Sequence, residues 1–372
     1  MKIAILLSRI DQTGMSTNTI DLCVALADLG HHVDLIVGDY YGSSNQLEFQ
    51  HQLLAQSNVN VVNVNFSSRN KLWSKLLKLT AIAKILLRLL FKKYDAIHAE
   101  SPYLSFVPWM VGKKFVSTMH VPDLENIFAY KNATRVIAIS KETKDYCVSK
   151  FHYKEEEIDL VYHGVNDRFS TPISPDEKSK LKLKLDIEPH EIVIGLVASI
   201  EKRKGHDILI SAIESLEVEI RKKIKLVLIG SYKSGSNNWI ESLINNSPVK
   251  EQIRWLQYQD PKPFYDIMDI FVLPSRLEGF GLVVAEAMLA GCIVLRSDTE
   301  GATEQIINGT NGFIFKNEDA LGLSQLLTDL IRDKNLMQYI KKNSKEDALK
   351  RFTQRVMAEN TLKVYKKLQK SF

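Results

Sequence analysis

Two successive doubly wound α/β domains are the fold class this sequence predicts. Short apolar runs alternate with stretches of helical periodicity along most of its 372 residues. That is the pattern of parallel sheets with crossover helices. The alternation breaks once, over residues 166–180, where two prolines, several Ser/Thr and charged residues replace it, and then it restarts. Hydrophobic residues at 45% and charged residues at 25% give a globular balance and exclude a disordered or fibrous chain.

The first series opens with an apolar strand at residues 2–7. Residues 16–29 have helical spacing and stop at Gly30, which suits the position just after a helix. Further strands are expected at 32–37, 59–64, 96–99, 115–119, 136–139 and 160–162, with helical stretches such as 141–150 between them. After the break, strands are expected at 192–197, 225–229, 253–256, 270–273 and 293–295. Helices should begin near Gly205, Ser236, Pro263, Gly281 and Ala302. The Lys-rich tail is helical. The expected domains are therefore 1–165, 166–345, and a C-terminal helix, 346–372, packing back on the first domain.

Other classes are excluded by what the chain contains. Cys23, Cys147 and Cys292 are odd in number and far apart, which suits a reducing compartment and offers no disulfide framework or metal spacing. The N-terminus reads as a strand rather than a secretion signal. No run approaches the roughly 18 apolar residues of a membrane span. A cytoplasmic protein is expected, with the option of a peripheral place on the inner face of the cytoplasmic membrane.

The run most informative about chemistry is PSRLEGFGLVVAEAMLAG, residues 274–291. It leaves an apolar strand and enters a helix at about Gly281. Gly279 and Gly281 allow the backbone to approach a ligand closely. The N–H groups of Phe280, Gly281 and Leu282 would point out of a helix start, a natural anion site. Glu278 lies just before that helix, and Glu286 about one and a half turns into it. One carboxylate can reach a sugar beside bound phosphates, the other the hydroxyls of a ribose.

This run resembles the E-x7-E motif of retaining glycosyltransferases of the GT-B fold, in the large family numbered four. Glu278 and Glu286 fill its acidic positions, and residues 301–315 are similar to the family's usual sequel. Ile293 departs from it, standing where the family usually has proline. The resemblance implies two Rossmann-like domains facing across a cleft. It implies transfer of a sugar from a nucleoside diphosphate to an acceptor hydroxyl, with attack from the face the phosphate leaves.

Further positions extend the likeness. Residues 197–210 read as a strand, a basic loop and a helix opening at Gly205, with Lys204 placed to meet a diphosphate. Many family members have an arginine where this chain has Ser199, and Arg203 is the candidate substitute. In the loop after the first strand, where an open α/β sheet binds ligands, Thr13-Gly14 stands at the family's usual Gly-Gly, which makes Gly14 a candidate donor contact. His120 ends a strand, as a histidine does in similar proteins, where it faces the donor sugar. Residues 162–165 resemble the family's turn into the linker and have a structural role. Residues 255–258 are placed to hold the base. The resemblance thus assigns catalytic roles to Glu278, His120 and Lys204, and donor contacts to Gly14, Arg203, Lys204, Phe280, Gly281, Leu282 and Glu286. No metal or other cofactor is expected, because Lys204 and helix amides can stabilise the leaving phosphate and no useful Asp-x-Asp occurs.

Residues 69–93 hold eight Lys/Arg and no acid. On a helical wheel Leu72, Leu76, Leu79, Ala83, Leu86 and Leu90 form one apolar stripe, with Lys71, Lys75, Lys78, Arg88, Lys92 and Lys93 across from it. Trp73, Leu77 and Leu87 flank the stripe. Two readings stand: a surface helix packed on its sheet by that stripe, or a face that docks on anionic lipid. Nucleic acid is not an expected partner, since no stacking motif accompanies the charge. The expected partners are a nucleotide sugar and a glycan or lipid-linked acceptor, in cell-surface polysaccharide, lipopolysaccharide or glycolipid synthesis. A catalytically silent nucleotide-sugar-binding scaffold and a GT-B nucleotide-sugar epimerase are the alternatives. A nicotinamide dehydrogenase would need a G-x-G-x-x-G after the first strand, and the chain has none there.

Overall fold

The computed structural model describes residues 1–11, 13–41, 44–66, 71–120, 133–232 and 239–370, with backbone alone for 44–49 and 71–74. The chain forms two compact units. The first is Met1–Val165 with Phe352–Phe372, and the second is Asn166–Arg351.

The sheet of the first unit contains β1 (Lys2–Ile10), β2 (His32–Tyr40), β3 (Asn60–Asn63), β4 (Ala96–Ala99), β5 (Val116–Met119), β6 (Arg135–Ala138) and β7 (Ile158–Leu160). All pairs are parallel, in the order β3-β2-β1-β4-β5-β6-β7. Side chains alternate across β1 as the two-residue period of a strand requires. Ile3, Ile5 and Leu7 enter one core, shared with Tyr365 and Leu368 of the terminal helix Gln354–Lys370. Ala4 and Leu6 enter the other, with Ala81, Ile85 and Leu89. A sheet covered on both faces needs nearly continuous apolar strands, which is why β1 reads IAILL in sequence.

The second unit holds β8 (Ile192–Val197), β9 (Ile224–Ile229), β10 (Ile253–Leu256), β11 (Ile270–Leu273), β12 (Ile293–Ser297) and β13 (Phe313–Phe315). These are also parallel, in the order β10-β9-β8-β11-β12-β13. Counted within the unit this is 3-2-1-4-5-6, the Rossmann arrangement. In each unit the strand order reverses beside the first strand, at β1/β4 and at β8/β11. Ligands of such sheets bind outside the carboxyl ends of the strands at that switch point.

Three details differ from the sequence reading. β7 lies two residues earlier than expected, because the following residues turn to meet the C-terminal segment. Val165 donates its N–H to Phe352 O (2.9 Å), and Gln354 N–H to Val165 O (2.8 Å). A Cβ on Gly164 would lie 2.4 Å from Thr353 O, so only glycine fits that turn. Second, the chain returns to the first unit at Phe352 rather than 346. The helix Lys334–Arg351 runs on through the Lys-rich stretch, and the break comes where Thr353 Oγ1 accepts from Val356 N–H (3.2 Å) to start the next helix. Third, β13 is only three residues long and shows no periodicity to read. The helix start expected near Ser236 lies outside the described residues, and the described helix begins at Trp239.

The basic helix spans Lys71–Phe91, and of its two readings the one that packs the apolar stripe on the sheet does not hold for the described residues. Ala81, Ile85 and Leu89 are buried, whereas Leu76, Leu79, Ala83 and Leu90 are exposed and Leu86 is only partly buried. The side chains of Lys71, Leu72 and Trp73 are outside the described residues. Among the described residues no helix is long and apolar enough to cross a membrane.

Candidate active site

The switch point of the second unit is built from the loops after β8 and β11. After β8 the chain makes a single 3-10 turn, Lys202–Lys204, and reaches Gly205 at φ 70° before the helix His206–Glu214. A Cβ on Gly205 would stand 1.9 Å from Pro274 O, so glycine alone lets the β8 loop rest on the end of β11. Arg276 fastens the two together. Its backbone N–H donates to Arg203 O (2.8 Å). Its guanidinium donates to Lys202 O (2.6 Å) and to both carboxylate oxygens of Asp207 (3.0 Å each), the two-pronged geometry that gives such pairs strength and direction.

The clamp brings the two key charges into contact. Lys204 Nζ lies 2.5 Å from Glu278 Oε2, and Ser275 Oγ donates to the same oxygen at 3.3 Å. Both side chains keep a small exposure, 13% for Lys204 and 12% for Glu278. Burial by itself would raise the Glu278 carboxyl, but the Lys204 ammonium outweighs it, helped by Arg203 and Arg296, and holds it below its ordinary value. Arg203 donates to Leu277 O (3.0 Å).

Beside this pair starts the helix Leu282–Ala290. Gly281 precedes it at φ 71°, and no side chain caps it. Val284 N–H turns back to Gly281 O (3.0 Å), and no side chain caps the rest of the first turn. Phe280 is turned inward, and the space over Gly279 is open. Arg296, fully buried in β12, secures the loop from behind by donating to Glu300 O (2.8 Å), to Gln305 Oε1 and, at 3.4 Å, to Phe280 O. Glu286 is buried one and a half turns on and accepts from Tyr265 Oη (2.9 Å). Burial pushes its carboxyl up to about 7. Trp255 Nε1 donates to Gly230 O (3.0 Å), while the Tyr258 ring is half exposed.

The first unit puts different groups at its switch point. Glu100 follows β4 and is fully buried. Its Oε2 lies 2.6 Å from Nε2 of His120, at the end of β5, and its Oε1 lies 3.3 Å from Nε2 of His98. His98 also meets Thr118 Oγ1 (2.7 Å) and Tyr365 Oη (2.8 Å). Burial would raise the Glu100 carboxyl, but His98 and His120 reverse this and hold it at about 2. Burial, then the neighbouring His120, pushes His163 down to about 3. The His120 and His163 rings lie 5.3 Å apart. His120 Nδ1 is buried and has no partner among the described residues.

Gly14 opens the exposed start of the helix Gly14–Asp28, where Thr13 caps Ser16 N–H. Asp11 sits at that start and accepts from Thr13 N–H (3.0 Å) and Ser16 Oγ (2.8 Å). Asp11 thus places an acid at this helix start.

Comparison with known proteins decides the class. A family model described as Glycosyltransferase Family 4 matches residues 13–169, and one described as glycosyl transferases group 1 matches 177–347. The crystal structure of Anabaena Alr3699/HepE in complex with UDP superposes with a TM-score of 0.81 at 21% identity, covering 99% of this chain and 100% of that one. The chain is a GT-B glycosyltransferase.

The glycosyltransferase is 26% identical to the uncharacterized glycosyltransferase MJ1607 of Methanocaldococcus jannaschii, over 95% of this chain and 94% of that one. It is 29% identical to the capsular polysaccharide biosynthesis glycosyltransferase CapM of Staphylococcus aureus, over 63% of this chain and 61% of that one.

Sequence reasoning placed Lys204, Glu278, Phe280, Gly281, Leu282 and Glu286 around the glycosyltransferase's C-terminal switch point, and the fold gathers them there, with Arg203 beside them. It missed Arg276, Arg296 and Glu100. A charged residue inside the apolar run IVLRS, and an acid straight after the central strand AIHA, were the available signals. Both mark buried charge, which needs a partner.

Proposed function

We propose that this glycosyltransferase takes a sugar from a nucleoside diphosphate sugar and passes it to an acceptor hydroxyl with retention of anomeric configuration. The observation that carries the reading is the 2.5 Å contact of Lys204 with Glu278, beside an uncapped helix start at the β8/β11 switch point. The UDP in the HepE structure supports a nucleotide donor. The name of CapM supports an acceptor in cell-surface carbohydrate assembly, a glycan or a lipid-linked sugar.

In this reading Lys204 uses one of its three N–H donors on Glu278 and keeps the others for phosphate oxygen. Arg203 and the amides of Phe280, Gly281 and Leu282 add positive potential where the diphosphate sits. Glu278 accepts from sugar hydroxyls near the anomeric carbon. Glu286 accepts from the ribose. The bond from the anomeric carbon to the phosphate oxygen breaks as the acceptor oxygen bonds to that carbon on the same face. The departing phosphate oxygen takes the acceptor's proton. Charge builds on the leaving phosphate, and fixed donors aimed at developing charge are commonly the largest single catalytic contribution. No metal is needed for this chemistry, since the cations and amides provide the same stabilisation.

The test is a thermal-shift screen against UDP-, GDP- and ADP-linked sugars. A ligand at 100 times its dissociation constant adds about 2.7 kcal/mol. The anomeric configuration of the transferred sugar is then read by NMR. An inverted product refutes retention. Donor binding with no transfer to any glycan or lipid-linked acceptor turns the reading into a sensing module, and free epimerised donor turns it into an epimerase.

A further inference from the structure

The helix Lys71–Phe91 has two apolar faces, and the core uses only one. Ala81, Ile85 and Leu89 are buried in the sheet-side cluster. On the opposite side Leu76, Leu79, Ala83, Leu87, Leu90 and Phe91 are exposed, Leu79 at 66% and Phe91 at 83%. At 100° per residue they fill about a third of the helix circumference. The short helix Phe106–Met110 packs beside it and adds exposed Trp109 and Met110, with Tyr103 just before. Eight of the nineteen large hydrophobic side chains exposed among the described residues thus lie between residues 76 and 110. An ordinary surface scatters such residues, and a contiguous patch marks a contact site.

The charges around the face say what it contacts. Arg88 and Lys92 are not part of it. They bond Asp34 Oδ2 at 3.0 and 2.6 Å, together with Tyr94 Oη at 2.5 Å. Burial would raise the Asp34 carboxyl, but Lys92, Tyr94, Asn60 and Arg88 hold it far below its ordinary value. These two cations fasten the helix to the sheet. Lys75, Lys78, Lys84 and Lys93 are exposed and make no ion pair among the described residues. On the wheel Lys75 borders one edge of the apolar arc and Lys84 the other, and Lys93 follows the helix end at Phe91. The next acid in the chain, Asp95, accepts from Lys2 N–H at 2.6 Å.

We propose that this face docks on an anionic lipid bilayer. The leucines, Phe91 and Trp109 enter the headgroup–acyl boundary, and the bordering lysines extend to lipid phosphates. A second copy of the chain fits poorly, because a self-complementary contact would bring the lysine rows together. The inference goes beyond the transfer reaction and does not depend on the donor site.

The experiment is co-sedimentation of the full chain with vesicles of phosphatidylcholine alone or mixed with phosphatidylglycerol. Wild-type chain should bind the anionic vesicles at least ~10-fold more tightly and lose affinity as salt is raised. The variant K75S/K84S/K93S should lose about fivefold per lysine on anionic vesicles only. The variant L79S/L87S/F91S should lose ~10-fold or more on both. All six side chains are exposed, so both variants should melt like the wild type and keep their thermal response to nucleotide sugar, which reads the donor site separately. Equal binding of the wild type to neutral and anionic vesicles, or wild-type binding by both variants, overturns the proposal. So does a dimer that L79S/L87S/F91S abolishes while the wild type ignores vesicles.

Discussion

The two units reverse their strand order at equivalent places and put opposite chemistry there. At β8/β11 the fold presents a lysine and a carboxylate in contact, both slightly exposed, next to an uncapped nine-residue helix start. At β1/β4 it presents a carboxylate that is fully buried and held between two histidine rings. Only the three-residue 3-10 turn Pro102–Leu104 follows, and the nearby helix start is capped by Thr13 and faced by Asp11. Parallel-sheet topology chooses where a crevice forms. The side chains at that crevice decide whether it attracts an anion. The second unit's centre has spare donors and positive potential, and the first unit's centre has its carboxylate bound by its own histidines.

The contrast breaks most sharply if the charges of the second unit prove dispensable. Lys204→Ala and Glu278→Ala are each expected to lower kcat/KM by about 100- to 1,000-fold, with circular dichroism unchanged. Because the two groups touch, the double variant should lose little more than the worse single one. Near-normal turnover in both single variants removes the site.

In the first unit the larger effect should be on stability. Glu100→Gln is expected to cost about 2–4 kcal/mol at pH 7 in urea unfolding. The folded carboxyl titrates at about 2, below its ordinary 4.5. Its contribution is therefore complete above pH 4.5 and is lost as pH falls toward 2. The gap between wild type and variant should narrow over that window. A gap of the same size at pH 3 and pH 7 would assign the effect to packing instead of charge.

Glu286 should behave with the opposite sign. Its folded carboxyl titrates at about 7, above the ordinary 4.5. The empty protein therefore loses stability as pH rises from 4.5 through 7. Glu286→Gln should remove that slope and gain about 2–3 kcal/mol on the wild type between pH 5 and pH 8. Ribose hydroxyls favour the ionised form, so calorimetric affinity for a nucleotide sugar should rise with pH through 7 in the wild type and stay flat in the variant. Equal slopes would place the ribose elsewhere.

The smallest effect expected is at Gly279, where a Cβ would meet nothing within 4 Å. Gly279→Ala should melt within about 0.5 kcal/mol of the wild type and bind the donor roughly fivefold more weakly, about 1 kcal/mol. Unchanged affinity would mean that the diphosphate does not approach this stretch of backbone.

How much of this was legible in the sequence depended on the range of the interaction. Lys204 and Glu278 stood out because each sits in a local signature, a Lys-Gly before a helix and an acid before a glycine-punctuated helix start. Arg276 did not, because its bonds to Asp207 and Lys202 span 69 and 74 residues of chain. Arg296 and Glu100 were visible only as charges in apolar surroundings, with no hint of which partner would satisfy them. The helix Lys71–Phe91 is the instructive case. Periodicity found an apolar stripe there, but a wheel records angles around an axis and carries no information about the side on which the sheet lies.

Composition and spacing, on their own, determined the alternating strands and helices, the two units, and the glycine-punctuated helix start with its flanking acids, since each of these is set by neighbours within a few residues. The tertiary structure alone decided which face of the basic helix is buried, which arginine joins the two loops, and that Glu100 is held by His98 and His120. Those outcomes depend on contacts closed between distant segments, and a one-dimensional pattern does not specify which buried charge will find which partner.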